Sequence, residues 1–194
     1  MKPIPARILN AVNTFVGRND VRYYLNGIHF AATPEGTLRL EATDGHTAIR
    51  YDLPDEYAPE WWGANLQCIV QMPDRKLSVK QDVTLESNGG HLSEFVLNDD
   101  SRIPVKHIEG RFPDMDRALP DRAVEADVSV AAFNPNYIAR AANAMAEIGK
   151  AMKVHGRDVL PSPVRITTRG QQAAVFTNVR LPGLSIVVMP LREN

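Results

Sequence analysis

One cysteine excludes a disulfide within the chain, no apolar run approaches the ~18 residues of a membrane-spanning helix, and a net charge of −1 neither supports nor excludes DNA binding. The single thiol, Cys68, lies in Leu66-Gln67-Cys68-Ile69-Val70 and reads as a small buried hydrophobe in a reducing compartment. Met1-Lys2-Pro3-Ile4-Pro5 has no apolar h-region, so a cytoplasmic location is expected. With 22 Lys and Arg against 23 Asp and Glu, any DNA-facing surface has to be a local stripe of cations. His-x-x-x-His, paired Cys and Gly-x-Ser-x-Gly are all missing. Asp44-Gly45-His46 and the other histidines (His29, His91, His107 and His155) therefore supply no ligand set and no nucleophile–base pair, and neither an enzyme nor a metal site is expected. Asp44-Gly45 is more simply a hairpin turn, with His46 leading the next strand.

What is present is a globular composition, 44% hydrophobic and 23% charged, long enough for one large domain or two small ones. Ile8, Leu9, Val12, Phe15 and Val16 recur at helical steps behind Pro5, predicting an amphipathic helix that ends near Gly17. From Val21 to Asp52 the pattern turns to strands: Tyr23, Leu25, Ile28 and Phe30, the turn Thr33-Pro34-Glu35-Gly36, then Leu38, Leu40 and Ala42 in alternation. A third strand, Thr47 to Leu53, is set off by Asp44-Gly45 and closed by Pro54. The loop from Pro54 to Gly63 holds both tryptophans, Trp61 and Trp62, as a cap on the core or an interface anchor. Four apolar runs (Leu66–Met72, Val79–Leu85, Leu92–Leu97 and Ile103–Ile108) are separated by turn chemistry and read as an antiparallel meander.

A connector over residues 109–120 has room for one short helical turn between prolines. Ala126–Ala132 reads as a strand, Asn134 stands at an N-cap position before Pro135, and a second helix runs through Ile138, Ala142, Met145 and Ile148. Val164–Thr168, Ala173–Thr177 and Leu184–Met189 are predicted as the last three strands. A unit of helix plus three strands thus recurs weakly, over residues 5–53 and 126–190. The expected class is α+β, two long helices packed on one face of antiparallel sheets.

Asp20-Val21-Arg22-Tyr23-Tyr24-Leu25-Asn26-Gly27, Ala42-Thr43-Asp44-Gly45-His46, Glu109-Gly110-Arg111-Phe112-Pro113-Asp114 with Leu119-Pro120, Phe133-Asn134 with Tyr137, and Val187-Val188-Met189-Pro190-Leu191-Arg192 resemble, in order, segments of the beta subunit of bacterial DNA polymerase III, the ring-shaped sliding clamp. The resemblance covers nearly the whole chain: residues 1–121 look like the middle domain of that subunit, and 122–194 like the last half of its third. It implies a shortened DNA-clamp (processivity-fold) architecture, encoded by a phage or mobile element. Anything like the first domain and the first half of the third is lacking. So is one helix of the middle domain, because Met72-Pro73-Asp74-Arg75-Lys76-Leu77 is too short and proline-broken to replace it.

In that family, polymerase, clamp loader and repair enzymes insert a short linear motif into an apolar pocket between the second and third domains. Carried over by position, the resemblance implies that Leu25, Thr43, Gly45, His46, Pro120, Val187, Val188, Met189, Pro190, Leu191 and Arg192 line it, with Arg22, Tyr24, Asn134 and Tyr137 near its rim. Met189, Leu25 and Leu191 suit a Leu or Phe anchor, Gly45 lets a peptide backbone come close, and His46 and Arg192 can fix polar groups. Thr47-Ala48 stands where the family usually has a basic residue followed by Leu, which makes that wall smaller; Glu193-Asn194 replaces an apolar last residue.

Clamps hold duplex DNA by lining a hole with helices whose cations face the phosphates. Candidates are Lys2, Arg7 and Arg18 around the first helix and Arg140, Lys150, Lys153 and Arg157 on and after the second, residues that equally suit a solvated helix face. A family ring takes twelve helix-plus-strands halves, so a chain with two helices has to assemble differently or not close at all, with a higher oligomer, a smaller ring or a solitary molecule all open; open sheet edges favour a homo-oligomer. The expected function is a replication processivity factor that binds duplex DNA through its backbone and polymerase or loader motifs through the pocket. The alternative is a non-ring clamp homologue, a decoy or adaptor that binds clamp-interacting proteins without encircling DNA. No cofactor is implied.

Overall fold

The computed structural model describes residues 2–63, 66–117, 131–153, 164–168 and 172–191. Strand β1 (Ile4–Pro5) leads into helix α1 (Ala6–Val12), which tightens into a 3-10 turn over Asn13–Phe15. Ile8, Leu9, Val12 and Phe15 are all fully enclosed, as their helical spacing predicts. The expected strand around Tyr23 is instead a 3-10 turn, Tyr23–Leu25. The cause is local: the Asp20 N–H donates to the Asn26 side-chain oxygen and the Asn26 amide donates back to the Asp20 carbonyl, both at 3.1 Å, curling the segment between them. Gly27 then passes so close to Val70 that a Cβ would meet its carbonyl at 2.7 Å.

The strands that follow are β2 (Ile28–Ala32), β3 (Leu38–Thr43), β4 (Thr47–Asp52), β5 (Gln67–Gln71), β6 (Asp82–Asn88), β7 (His91–Leu97), β8 (Arg102–Pro104) and β9 (Lys106–Ile108). A short 3-10 turn at Met115–Arg117 occupies the connector. Helix α2 (Pro135–Ala151) precedes β10 (Val164–Thr167), β11 (Ala174–Asn178) and β12 (Leu184–Val188). Its N-cap is the expected Asn134, whose side-chain oxygen accepts from the Asn136 N–H at 3.0 Å ahead of Pro135. Of the expected strand Ala126–Ala132, residues 126–130 lie outside the described residues.

Two antiparallel sheets form, ordered β1-β6-β7-β8 and β10-β11-β12-β4-β3-β2-β5-β9. The four central apolar runs are therefore not one meander. β5 leaves its neighbours to pair with β2, and the run 103–108 divides at Val105, β8 joining one sheet and β9 the other. Splitting one run lets the sheets close over a shared core of α1, Phe30, Tyr51, Phe95 and Tyr57. Trp62 packs into that core with Trp61 against it at 5.4 Å, so the tryptophans act as a cap.

The two repeated units meet where β4 and β12 pair antiparallel, Thr47 opposite Val188, Ile49 opposite Ile186 and Tyr51 opposite Leu184, while α1 packs on α2 beneath. The eight-stranded sheet draws strands from both units, and this joint places the site.

Candidate peptide-binding site

The turn between β3 and β4 is set by Asp44, whose Oδ1 accepts the backbone N–H of His46 (2.9 Å) and Thr47 (2.7 Å). Gly45 at its tip has φ +86°, and a Cβ there would lie 2.9 Å from Nη2 of Arg22. Arg22 in turn grips Asp20 in a bidentate pair (3.0 and 2.8 Å); those hydrogen bonds hold the Asp20 carboxyl down to about 2.

Beyond β12 the ladder continues, with the Met189 N–H donating to the His46 carbonyl (2.9 Å) and the Leu191 N–H to the Ala132 carbonyl (2.7 Å). The segment Met189–Leu191 is thereby strapped between the Asp44 turn and the start of α2. The His46 ring lies over Tyr137 with centroids 6.0 Å apart. A second, smaller apolar cluster packs away from the main core, formed by Ala48, Ile69, Phe112, Met115, Val175 and Val187, with Tyr24 and Ile108 against it. Within the strapped segment Met189 and Leu191 remain 39% and 50% exposed, an apolar surface that none of the described residues covers.

Several of the residues expected to line a pocket come together here: Arg22 over Gly45, His46 with Tyr137 and Met189, and Tyr24 with Val187 in the small cluster, while Asn134 caps α2. Others do different work. Leu25 is 1% exposed, and Val188 points into the main core, so neither offers surface to a ligand. The Thr43 hydroxyl is occupied, donating to the Thr47 carbonyl and accepting the Gly45 N–H. Pro190 is half-buried; Pro120 and Arg192 lie outside the described residues.

Sequence reasoning missed a clasp. Arg140 of α2 donates to Asp44 Oδ2 (2.6 Å) and to the Thr47 hydroxyl (2.8 Å), with its guanidinium over the rings of Tyr137 (5.4 Å) and Phe15 (5.8 Å). Burial pushes the Asp44 carboxyl up, but the Arg140 hydrogen bond, with the N–H groups of Thr47 and His46, outweighs it and holds the group below its ordinary value. Arg140 was expected to face DNA and instead fastens α2 to the turn. Arg7 and Lys150 both pair with Glu147, and Lys2 pairs with Glu56 (2.8 Å) beneath its own contact with Tyr57. Arg18 and Lys153 are exposed and make no ion pair among the described residues, while Arg157 lies outside them. Between the helices opens a groove of about 400 Å³ whose walls include Arg7, Asn10, Lys76, Val79 and Asn143.

No protein-family model matches the chain. The beta sliding clamp of Escherichia coli strain K12 is 32% identical over 133 residues, 62% of this chain and 33% of that protein. That of Salmonella typhimurium is 31% identical over 137 residues, 64% of this chain and 34% of that protein. This chain resembles the bacterial beta sliding clamp. Solved clamps share its fold: the DNA polymerase sliding clamp of Pseudomonas aeruginosa, crystallised with a ligand, superposes with a TM-score of 0.65 at 19% identity, over 97% of this chain and 63% of that one. The DNA polymerase III beta subunit of Thermotoga maritima gives 0.64 at 13% identity with the same coverage. The architecture is that of the DNA clamp, on a chain that spans about a third of the curated clamps it matches.

Of the small cluster, Phe112 falls in a segment that resembles the clamp and Met115 only in the connector, and neither is named as a site residue by the resemblance. Phe112 stacks on the ring of His29, itself paired with the buried Glu41, with ring centroids 4.6 Å apart, and Asp116 pairs with Arg50 beyond it. Residues 112–116 are thus fixed to the sheet face by stacking, burial and charge together.

Proposed function

We propose that the chain is a sliding-clamp-like replication factor that captures linear motifs of polymerase and clamp-loader proteins at the β4–β12 joint and contacts duplex DNA through its helix side. Its two clamp-like parts, residues 1–121 and 122–194, meet at that joint. The observation that carries the reading is the antiparallel seam that sets His46 beside Met189, leaving Met189 and Leu191 exposed next to an apolar cluster on a chain similar to clamps. Exposed, adaptable Met and Leu beside a backbone turn at Gly45 suit a short peptide with a Leu or Phe anchor. The proposed role is binding, not catalysis.

The test is fluorescence anisotropy with a labelled clamp-binding peptide from a replicative polymerase. Truncating Met189 or Leu191 to Ala removes about 1–1.5 kcal/mol of apolar contact, so each weakens binding roughly tenfold. Unchanged affinity in both variants rejects the site. A second reading, an adaptor that binds such motifs without encircling DNA, is favoured by the pairing of Arg7, Lys150 and Arg140 with acidic partners within the chain. It predicts peptide binding with no retention on nicked circular DNA.

A further inference from the structure

On the face of the eight-stranded sheet turned away from the main core, one cross-strand row is built of ionisable groups. His29 stands opposite Glu41 and Glu41 opposite Arg50, on β2, β3 and β4. Their side chains are 10%, 6% and 11% exposed. Glu41 Oε2 accepts from His29 Nδ1 (2.9 Å) and Oε1 from Arg50 Nε (2.7 Å). Burial pushes the Glu41 carboxyl up, and these two partners outweigh it and keep the group ionised. Both ends of the row reach the same stretch of connector. Phe112 stacks on the His29 ring with the planes 15° apart, and Asp116 accepts from Arg50 Nη1. Between these two anchors Met115 enters the small apolar cluster with Ala48 and Val187.

Burying charge is costly, and an apolar row of the same volume would hold the connector at least as firmly. What apolar contact does not supply is register, because it is non-directional and Phe112 and Met115 would gain similar area at several positions along a smooth face. The ionisable row supplies it. Its ends lie two strand spacings apart, about 10 Å, and each takes its own kind of partner, a flat ring over His29 and a carboxylate at Arg50. We propose that His29, Glu41 and Arg50, with Asp116, are positioning residues for peptide capture, a role that rests on the β4–β12 joint being the peptide site. They set residues 112–116 in one register, which makes Phe112 and Met115 the floor of the small cluster behind Val187. Met189 follows Val187 by two residues, on the same face by strand alternation, so the floor stands behind the exposed anchor surface. The row acts through the connector rather than on the peptide.

Asp116 is the place to test this, because its side chain is 75% exposed and a change there leaves the fold intact. Asp116→Lys sets an ammonium beside the Arg50 guanidinium. In fluorescence anisotropy with the labelled polymerase peptide it should bind roughly threefold to fivefold more weakly, at an unchanged urea midpoint, and Asp116→Glu, which keeps the pair, should restore most of the loss. Hydrogen exchange over residues 112–117 of the free protein should quicken in Asp116→Lys, an effect that a new charge acting directly on the peptide would not produce. Met189→Ala is the reference. If it weakens binding and Asp116→Lys does not, the positioning role is overturned and the peptide site stands; if the unaltered chain binds no peptide, both fall together. Unmoved exchange, an equal loss in Asp116→Glu, or a lowered urea midpoint in Asp116→Lys, which would make the pair merely structural, also overturns the proposal.

Discussion

Arg140 should behave as a structural residue. The perturbation is Arg140→Met, which keeps an apolar stem and removes the guanidinium. Its ion pair with Asp44 has side-chain exposures of 30% and 20%, placing it between an exposed pair worth up to about 1 kcal/mol and a buried one whose halving costs roughly 3–5 kcal/mol. The bond to the Thr47 hydroxyl and the contacts with Tyr137 and Phe15 go with it, each worth about 0.5–1 kcal/mol. The expected loss is about 2 kcal/mol. Asp44→Asn should cost less, about 1 kcal/mol, because an amide oxygen still accepts from the N–H groups of His46 and Thr47. In a double-mutant cycle the coupling should be near 1 kcal/mol. Urea titration followed by circular dichroism and tryptophan fluorescence would show Arg140→Met as a midpoint lowered by roughly 0.5–1 M at unchanged slope. Losses below about 0.5 kcal/mol in both single variants, with no coupling, would refute the clasp and free Arg140 for another task.

Gly45→Ala should destabilise by about 1 kcal/mol through the positive φ, and, by pushing Arg22 aside, should let the Asp20 carboxyl rise from about 2 toward its ordinary 3.8; carbon-detected NMR titration reads the second effect, and an unmoved Asp20 contradicts the contact. Acid should unfold the chain through Glu41 and Asp44. Burial pushes the Glu41 carboxyl up, but the His29 hydrogen bond and Arg50 outweigh it, so both groups fold with values below the ordinary 4.5 and 3.8. The unfolded chain then binds protons first: the stabilisation is complete above the ordinary values and is lost as pH falls through the folded ones. Melting temperatures should drop from about pH 5 downward, and a profile flat to about pH 3 would contradict both pairs.

How much of this was readable in advance depends on range. The Asn134-Pro135 start of α2 and the strands at 28–32, 38–43, 47–52 and 184–188 are stated by neighbours in sequence, through caps, turns and alternation, and they fall within a residue or two of expectation. Tyr23–Leu25 misleads because side chains at Asp20 and Asn26 override an alternating pattern. The four central runs mislead for a different reason: apolar content says a strand exists but not which sheet receives it. Within the site, matching by resemblance names His46, Tyr137 and Met189, which the fold brings together, and takes Val187 and Val188 as one wall. Period-two geometry alone separates them, one toward the small cluster and one toward the main core. The Arg140–Asp44 clasp spans 96 residues and leaves no local trace.

The paired cations bear directly on DNA. An arginine already held by Glu147 gains little from a phosphate, because the bond it forms is offset by the one it gives up and Glu147 is left facing negative charge. Of the expected cations, only Arg18 and Lys153 are exposed and without an ion pair among the described residues, with Arg157 the one whose placement is outside them. Two or three phosphate contacts give a slope of log affinity against log salt of roughly −2 to −3, whereas the seven expected cations would give about −6. Salt titration of duplex binding therefore separates three cases. A slope near −6 means the intrachain pairs break on DNA, a shallow slope means they hold and contact is light, and absence of binding at about 50 mM salt favours the adaptor over the tracking clamp. Glu147→Gln sharpens the distinction, since releasing Arg7 and Lys150 should steepen the slope by about 2 only if that helix face meets the phosphates.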